Sequence, residues 1–333
     1  MGSVEPVDPP DGSDRAAVAG RPLSASELAS GLAPVAVLAA LLLAISAFSP
    51  SFVSAYSLRV LAEESSVILL LAIGQTIVVI LGGIDLSVAA VASLVSVIVA
   101  LLLPELGAGA VVCALCVAVL IGALQGLVHA RAKIPSFIVT LAGLGLWSGI
   151  ALAIAHTTVP VTARLEVVGW LDGHTAGVPH AFVAALAVLG LFQAALAWSR
   201  FGRYVYAIGM AERAALLAGI PVWRVRMLAF AASGLCSGLA GVAMVARTSS
   251  GSPTIADSLL LPSIAAVVVG GTAITGGHGN LLRTLLGVGI VVVMRVGVAV
   301  AGVAPAYETI VYGALVVIAV AFTVDRGSLG IVK

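Results

Sequence analysis

The sequence predicts an all-α membrane bundle of about ten transmembrane helices, some broken at Gly-Gly sites, and three observations carry that prediction. Of 333 residues, 61% are hydrophobic and only 9% charged, with a mean hydropathy of +1.20; soluble domains carry roughly 25% charged residues. The apolar residues fall into runs of membrane-spanning length. Most basic residues sit in the short segments between those runs, where they report orientation. The net charge of +1 leaves no basic field of the kind that holds nucleic acid.

Residues 1–30 hold Gly2, Gly12, Pro6, Pro9 and Pro10 with the acids Glu5, Asp8, Asp11 and Asp14, the composition of a disordered cytoplasmic tail. A secretory signal is excluded because its n-region would be positive. Residues 31–326 form the transmembrane domain, and 327–333 a short cytoplasmic tail. The apolar runs 33–48, 58–81, 86–103, 108–128, 135–155, 180–198, 227–246, 259–275, 284–301 and 306–323 give ten spans. With the N-terminus inside, Arg131, Lys133, the 200–226 loop, Arg283 and Arg326 all fall on the cytoplasmic side. Arg59 and Arg247 fit that pattern poorly.

The 200–226 loop carries Arg200, Arg203, Arg213, Arg224 and Arg226, interrupted by Glu212. Within it residues 210–218 are mostly strong helix formers, stopped by Gly219 and Pro221. A short amphipathic helix here either rests on lipid headgroups or docks a cytoplasmic partner.

Gly82-Gly83-Ile84-Asp85 follows one apolar run, and Gly270-Gly271-Thr272 begins a stretch with five glycines in eleven residues. Unwound backbone at membrane depth is tolerated only where protein or a water-filled cavity surrounds it, so both sites point to a transport pathway. Asp85 either serves that pathway or caps the helix starting at Leu86. Arg295 lies inside a span, where a charge faces a polar path or snorkels to a headgroup.

Cys113, Cys116 and Cys236 lie in apolar runs and give no disulfide framework; the Cys113-x-x-Cys116 pair reads as helix packing, with no further ligand nearby for a metal. Gly143, Gly145 and Gly149 likewise read as close helix packing. The two lysines, Lys133 and Lys333, follow no glycine, so a Walker A motif is absent.

Four segments resemble the permease subunits of bacterial ABC importers for ribose, xylose and related monosaccharides. They are Gly74-Gln75-Thr76 through Ser87; Ile134-Pro135-Ser136-Phe137-Ile138-Val139-Thr140-Leu141; Gly202 to Gly209 with Ala214-Ala215 and Gly219-Ile220; and Ile264 to Thr272 with Gly276-Gly277-His278-Gly279. The match spans about residues 34–325. Leu259 to Ser263, Met210-Ala211 and Met294 to Gly297 depart from the family's more polar pattern.

The resemblance implies a multi-pass protein of the bacterial inner membrane, paired with a second permease as a homodimer and surrounded by lipid. A separate cytoplasmic ABC ATPase would bind the ATP, and an extracytoplasmic solute-binding protein would deliver the cargo. Tyr206, Gly209, Glu212, Arg213, Ala214 and Gly219 then belong to the coupling loop. Gln75, Thr76, Gly82, Gly83, Asp85, Gly270, Gly271, Thr272, Thr275 and Arg295 are the candidates for the passage, because a released sugar needs weak, replaceable polar contacts. The four glycines are expected near the centre of the bundle.

Other classes make different demands. A branched-chain amino-acid permease shares the architecture. An ion-coupled transporter would need embedded carboxylates such as Asp85, Glu63 or Glu64. A membrane enzyme would need clustered acids and histidines, whereas His129, His156, His174, His180 and His278 are scattered.

Overall fold

A computed structural model describes residues 25–300 and isolated positions from 302 to 314. Helices dominate. In chain order they are α1 (Ala25–Phe48), α2 (Ala55–Ile80), α3 (Val88–Leu106), α4 (Ala108–Ala132), α5 (Ser136–Ile154) and the single turn α6 (Glu166–Gly169). After α6 come α7 (His180–Trp198), α8 (Arg200–Met210), α9 (Glu212–Leu217), α10 (Val222–Thr248), α11 (Leu260–Val269) and α12 (Leu281–Val300). Two-residue strands β1 (Val159–Pro160) and β4 (Ser250–Gly251) pair antiparallel, as do β2 (His174–Thr175) and β3 (Val178–Pro179). Both pairs tie down loops at one end of the bundle.

Seven helices among the described residues are long and apolar enough to cross a membrane: α2, α3, α4, α5, α7, α10 and α12. The expected count of about ten is therefore not confirmed among the described residues. The run at 259–275 folds as α11, only ten residues long and about 15 Å from end to end, half a hydrocarbon core. The first run lies in α1, whose apolar part is Pro34–Ala47. The run at 306–323 falls largely outside the described residues, as do positions 1–24 and the C-terminal tail. Helix α1 begins at Ala25, inside the segment whose composition reads as a tail.

Helix α2 is the axis of the bundle. Every residue from Ser65 to Ile80 is buried, which suits a segment apolar on all faces. It packs on α10, α12, α7 and α11, while α10 also packs on α4 and α3. By contrast α5 and α7 leave most of their apolar surface uncovered by the rest of the chain.

Glycine spacing explains the tight α4–α10 contact. Gly122 and Gly126 on α4, and Gly234 and Gly238 on α10, are each four residues apart and so line one helix face. A methyl at Gly122 would overlap the Phe230 carbonyl, and one at Gly234 would overlap the Ala118 carbonyl. Of the glycines read from sequence as packing sites, Gly143 meets Gln125, but Gly145 and Gly149 have open space beside them. Cys113 and Cys116 are exposed on α4, whereas Cys236 is buried.

Candidate functional site

The arginine-rich end of the bundle is built from helix termini of one kind. At the end of α2, Gly82 N–H donates to Val79 O and Gly83 N–H to Val78 O; at the end of α11, Gly271 N–H donates to Val268 O and Thr272 N–H to Val267 O. This is the Schellman pattern, which needs a left-handed residue just past the cap. Gly82 (φ 85°) and Gly271 (φ 88°) supply it. Both Gly-Gly sites thus terminate helices outright, and the chain turns back at each.

The two turns meet. Gly277 N–H donates to Ile80 O at 2.8 Å, and a methyl at Gly276 would lie 2.8 Å from Gly82 Cα. Gly209 of α8 enters the same point, where a side chain would overlap the Ile80 carbonyl. Tyr206, one helical turn earlier, donates its hydroxyl to Gly279 O at 2.8 Å. Partial burial pushes its phenol above the usual tyrosine value, so the group stays a donor. The four glycines expected at the centre of the bundle all lie at helix ends: Gly82 borders the point where α8 meets the 276–277 turn, Gly83 packs beside Val78 and Ser136, and Gly270 and Gly271 lie beside Arg283. Gly270 is buried against the Arg283 backbone; Thr275, exposed, places its carbonyl beside Gly82.

Sequence reading put one helix over 210–218. The structure has α8 and α9 separated by Ala211, whose extended backbone (φ −159°, ψ 91°) breaks the helix. The stop at Gly219 is as expected: its φ is 76°, and the same capping pattern closes α9. Glu212 holds Arg226 at 2.6 Å. Arg213 and Ala214 are exposed, and so are Leu216 and, at 91%, Leu217. Beside α9 opens a cavity of about 1160 Å³ lined by Arg131, Lys133, Glu212, Arg213, Trp223 and Arg226, among others. Arg131 and Arg224 both lie over the Trp223 ring.

Past the α2 turn, the chain runs back along α2 into the bundle. Asp85, 2% exposed, accepts from Ser87 N–H at 2.9 Å, Ser87 Oγ at 2.7 Å and Ser233 Oγ at 2.8 Å. Gln75 Nε2 donates to the Asp85 carbonyl at 2.5 Å. Three donors are what a buried carboxylate needs in place of water. Helix α3 begins at Val88 with Ser87 at its N-cap, so Asp85 orders the turn before the helix and does not cap a helix starting at Leu86. Gln125 sits 2.9 Å from Ser87 Oγ. Its Oε1 is the atom facing Ser87, and its Nε2 faces Gly143, close to the buried Trp147 Nε1.

The remaining passage candidates divide. Thr76 and Thr284 share a hydroxyl contact of 2.8 Å with both residues fully buried, joining α2 to α12; Thr272 is equally buried, and its hydroxyl has no hydrogen-bond partner among the described residues. Arg295 lies fourteen residues along α12 from Leu281, about 21 Å up the axis. There Glu64 takes Arg247 on one carboxylate oxygen at 2.6 Å and Arg295 on the other at 3.3 Å. Nearby Glu63 meets His174 at 2.7 Å. Sequence analysis did not join these residues, although Arg247 and Arg295 were each out of place in the charge pattern, and misplaced charges in an apolar protein find one another.

Comparison with known proteins agrees with this architecture. Residues 57–320 match the family described as branched-chain amino acid transport system / permease component. The chain is 34% identical over 288 residues to the ribose import permease protein RbsC of Escherichia coli K12, covering 83% of this chain and 88% of that one. It is 34% identical over 300 residues to RbsC of Bacillus subtilis, covering 87% and 91%. With the fructose import permease protein FrcC of Rhizobium meliloti it shares 34% over 285 residues, covering 81% and 78%. A match over most of the chain, on a bundle with seven membrane-length helices, makes this a multi-pass membrane protein of the branched-chain amino acid transport system / permease component family.

Proposed function

We propose that the chain is the membrane-spanning subunit of an ATP-driven importer of a small polar solute, with a monosaccharide as cargo. The observation that carries this reading is α9: a short helix at the basic end, exposed on every residue except Ala215, with Leu216 and Leu217 turned outward beside a basic cavity. A helix that offers leucines and arginines outward from the basic end suits a protein partner that supplies ATP hydrolysis. The ribose and fructose permeases to which the chain is similar support the sugar assignment. The arginine-rich end is then cytoplasmic. A solute-binding protein delivers cargo at the opposite end, and a second permease covers part of the apolar surface left by α5 and α7.

The test is to express the chain with candidate ATPase and solute-binding partners, purify it, and assay uptake in vesicles. The ATPase is expected to copurify, and ribose or fructose to be taken up only with ATP. A branched-chain amino-acid cargo is the second reading, prompted by the family's description; uptake of leucine without uptake of either sugar would establish it.

A further inference from the structure

At the end opposite the arginine-rich helices, a cavity of about 330 Å³ opens between α2, α10 and α12. That volume is at the small end of the range for ligand sites. Each of the three helices sends one charged residue into it: Glu64, Arg247 and Arg295. The carboxylate uses its two oxygens on different partners, Arg247 Nη2 at 2.6 Å and Arg295 Nη1 at 3.3 Å. Glu64 thus ties both guanidiniums to one carboxylate at the cavity wall. Ser258 adds a hydroxyl, and Val67 and Met244 form an apolar side.

Arg247 keeps 44% of its side chain exposed, and Arg295 and Glu64 keep 28% and 20%, so the three charges line an opening that solvent reaches. Their chemistry fits a specific kind of guest. Guanidinium forks donate paired hydrogen bonds to neighbouring oxygens, a carboxylate accepts hydroxyl protons, and an apolar wall accommodates the C–H face of a ring. We infer that this cavity is a solute subsite for a polyhydroxylated molecule of monosaccharide size, with Arg247 and Arg295 as its oxygen-binding residues and Glu64 as the group that positions them. The inference deepens the proposed import of a sugar and rests on that reading for the direction of transport.

Protection from thiol modification tests occupancy apart from transport. In the full-length chain, with Cys113→Ala and Cys116→Ala as background, Ser258→Cys places a thiol at the cavity and Thr175→Cys places one on the β2–β3 hairpin outside it. The complex in vesicles is treated with a membrane-impermeant methanethiosulfonate, with and without ribose or fructose. Sugar is expected to slow modification at position 258 several-fold and leave position 175 unchanged. Arg295→Gln and Arg247→Gln should each raise the sugar concentration needed for half-protection about tenfold, the effect of losing one charged hydrogen bond. Uptake is measured on the same vesicles. Sugar uptake without protection at position 258, or protection that neither arginine variant alters, would overturn the subsite and leave the importer reading intact. Protection without uptake would uphold the subsite and remove the importer reading.

Discussion

At the scale of single residues, three positions carry more structure than their chemistry suggests. Asp85 gathers donors from Ser87 and Ser233, and so joins the turn after α2 to the middle of α10. Asp85→Ala would leave those donors buried without an acceptor, at a cost of about 2–4 kcal/mol. The purified protein should unfold at a clearly lower temperature, whereas Ser233→Ala, which removes one of the three bonds, should cost about 1 kcal/mol. Gly209 and Gly219 make a second contrast. Gly209 has no positive φ but no room, since its position abuts the Ile80 carbonyl; Gly219 has room but a φ of 76°. Gly209→Ala is therefore expected to abolish uptake by prising α8 off its seat, while Gly219→Ala should cost about 1 kcal/mol of stability and keep most transport. Measured uptake and thermal midpoints of the two variants, compared side by side, check both.

At the scale of elements, the α4–α10 contact and the α8–α9 pair can be probed separately. Gly122→Ala and Gly234→Ala should each sharply reduce the yield of folded protein, because the clash is with backbone on the neighbouring helix. Gly145→Ala, with nothing within 4 Å, should leave yield and midpoint unchanged. In α9, Arg213→Glu is the cleaner probe of partner docking. Glu212→Arg also sets two like charges together, since Arg226 lies 2.6 Å from Glu212. Arg213→Glu should cut solute-stimulated ATP hydrolysis by about tenfold with normal membrane insertion, the scale of a lost charge complement at an interface; unchanged hydrolysis would assign α9 to the lipid surface.

Much of this layout was legible in the sequence. Runs of apolar residues located every membrane-length helix, and glycine followed by proline located the end of α9. What was not legible has physical reasons. A Gly-Gly pair inside apolar sequence reads equally as a kink at mid-membrane and as a capped helix end, and only the partner of each backbone amide separates them. The Gly122-x-x-x-Gly126 and Gly234-x-x-x-Gly238 spacings stand openly in the chain, yet nothing local shows that the two face each other. The Glu64, Arg247 and Arg295 cluster joins residues up to 231 positions apart, beyond the reach of any local pattern.

At the scale of the whole molecule, α10 runs from Val222, at the basic cavity, to Thr248, at the opposite cavity, about 40 Å of continuous helix. Under the proposed function, a partner docked at α8–α9 would act on the opposite cavity through this one helix, to which Ser233 ties the α2 turn. A helix that long exceeds a hydrocarbon core of about 30 Å, so the proposed importer places the two cavities on opposite sides of the membrane. Ala211→Cys, in a chain lacking Cys113 and Cys116, should resist impermeant reagents in intact cells and react once the membrane is opened; reaction in intact cells would invert the orientation. The joint where Gly209, Ile80 and Gly277 meet is made of main chain alone, and this bears on its genetics. A bulky side chain in a core can be accommodated by trimming the residue opposite, but a carbonyl group cannot be trimmed by any codon change. Selection for revertants of Gly209→Ala should therefore return the original glycine, or changes far away that alter how the helices lean, and none at Ile80 or Gly277.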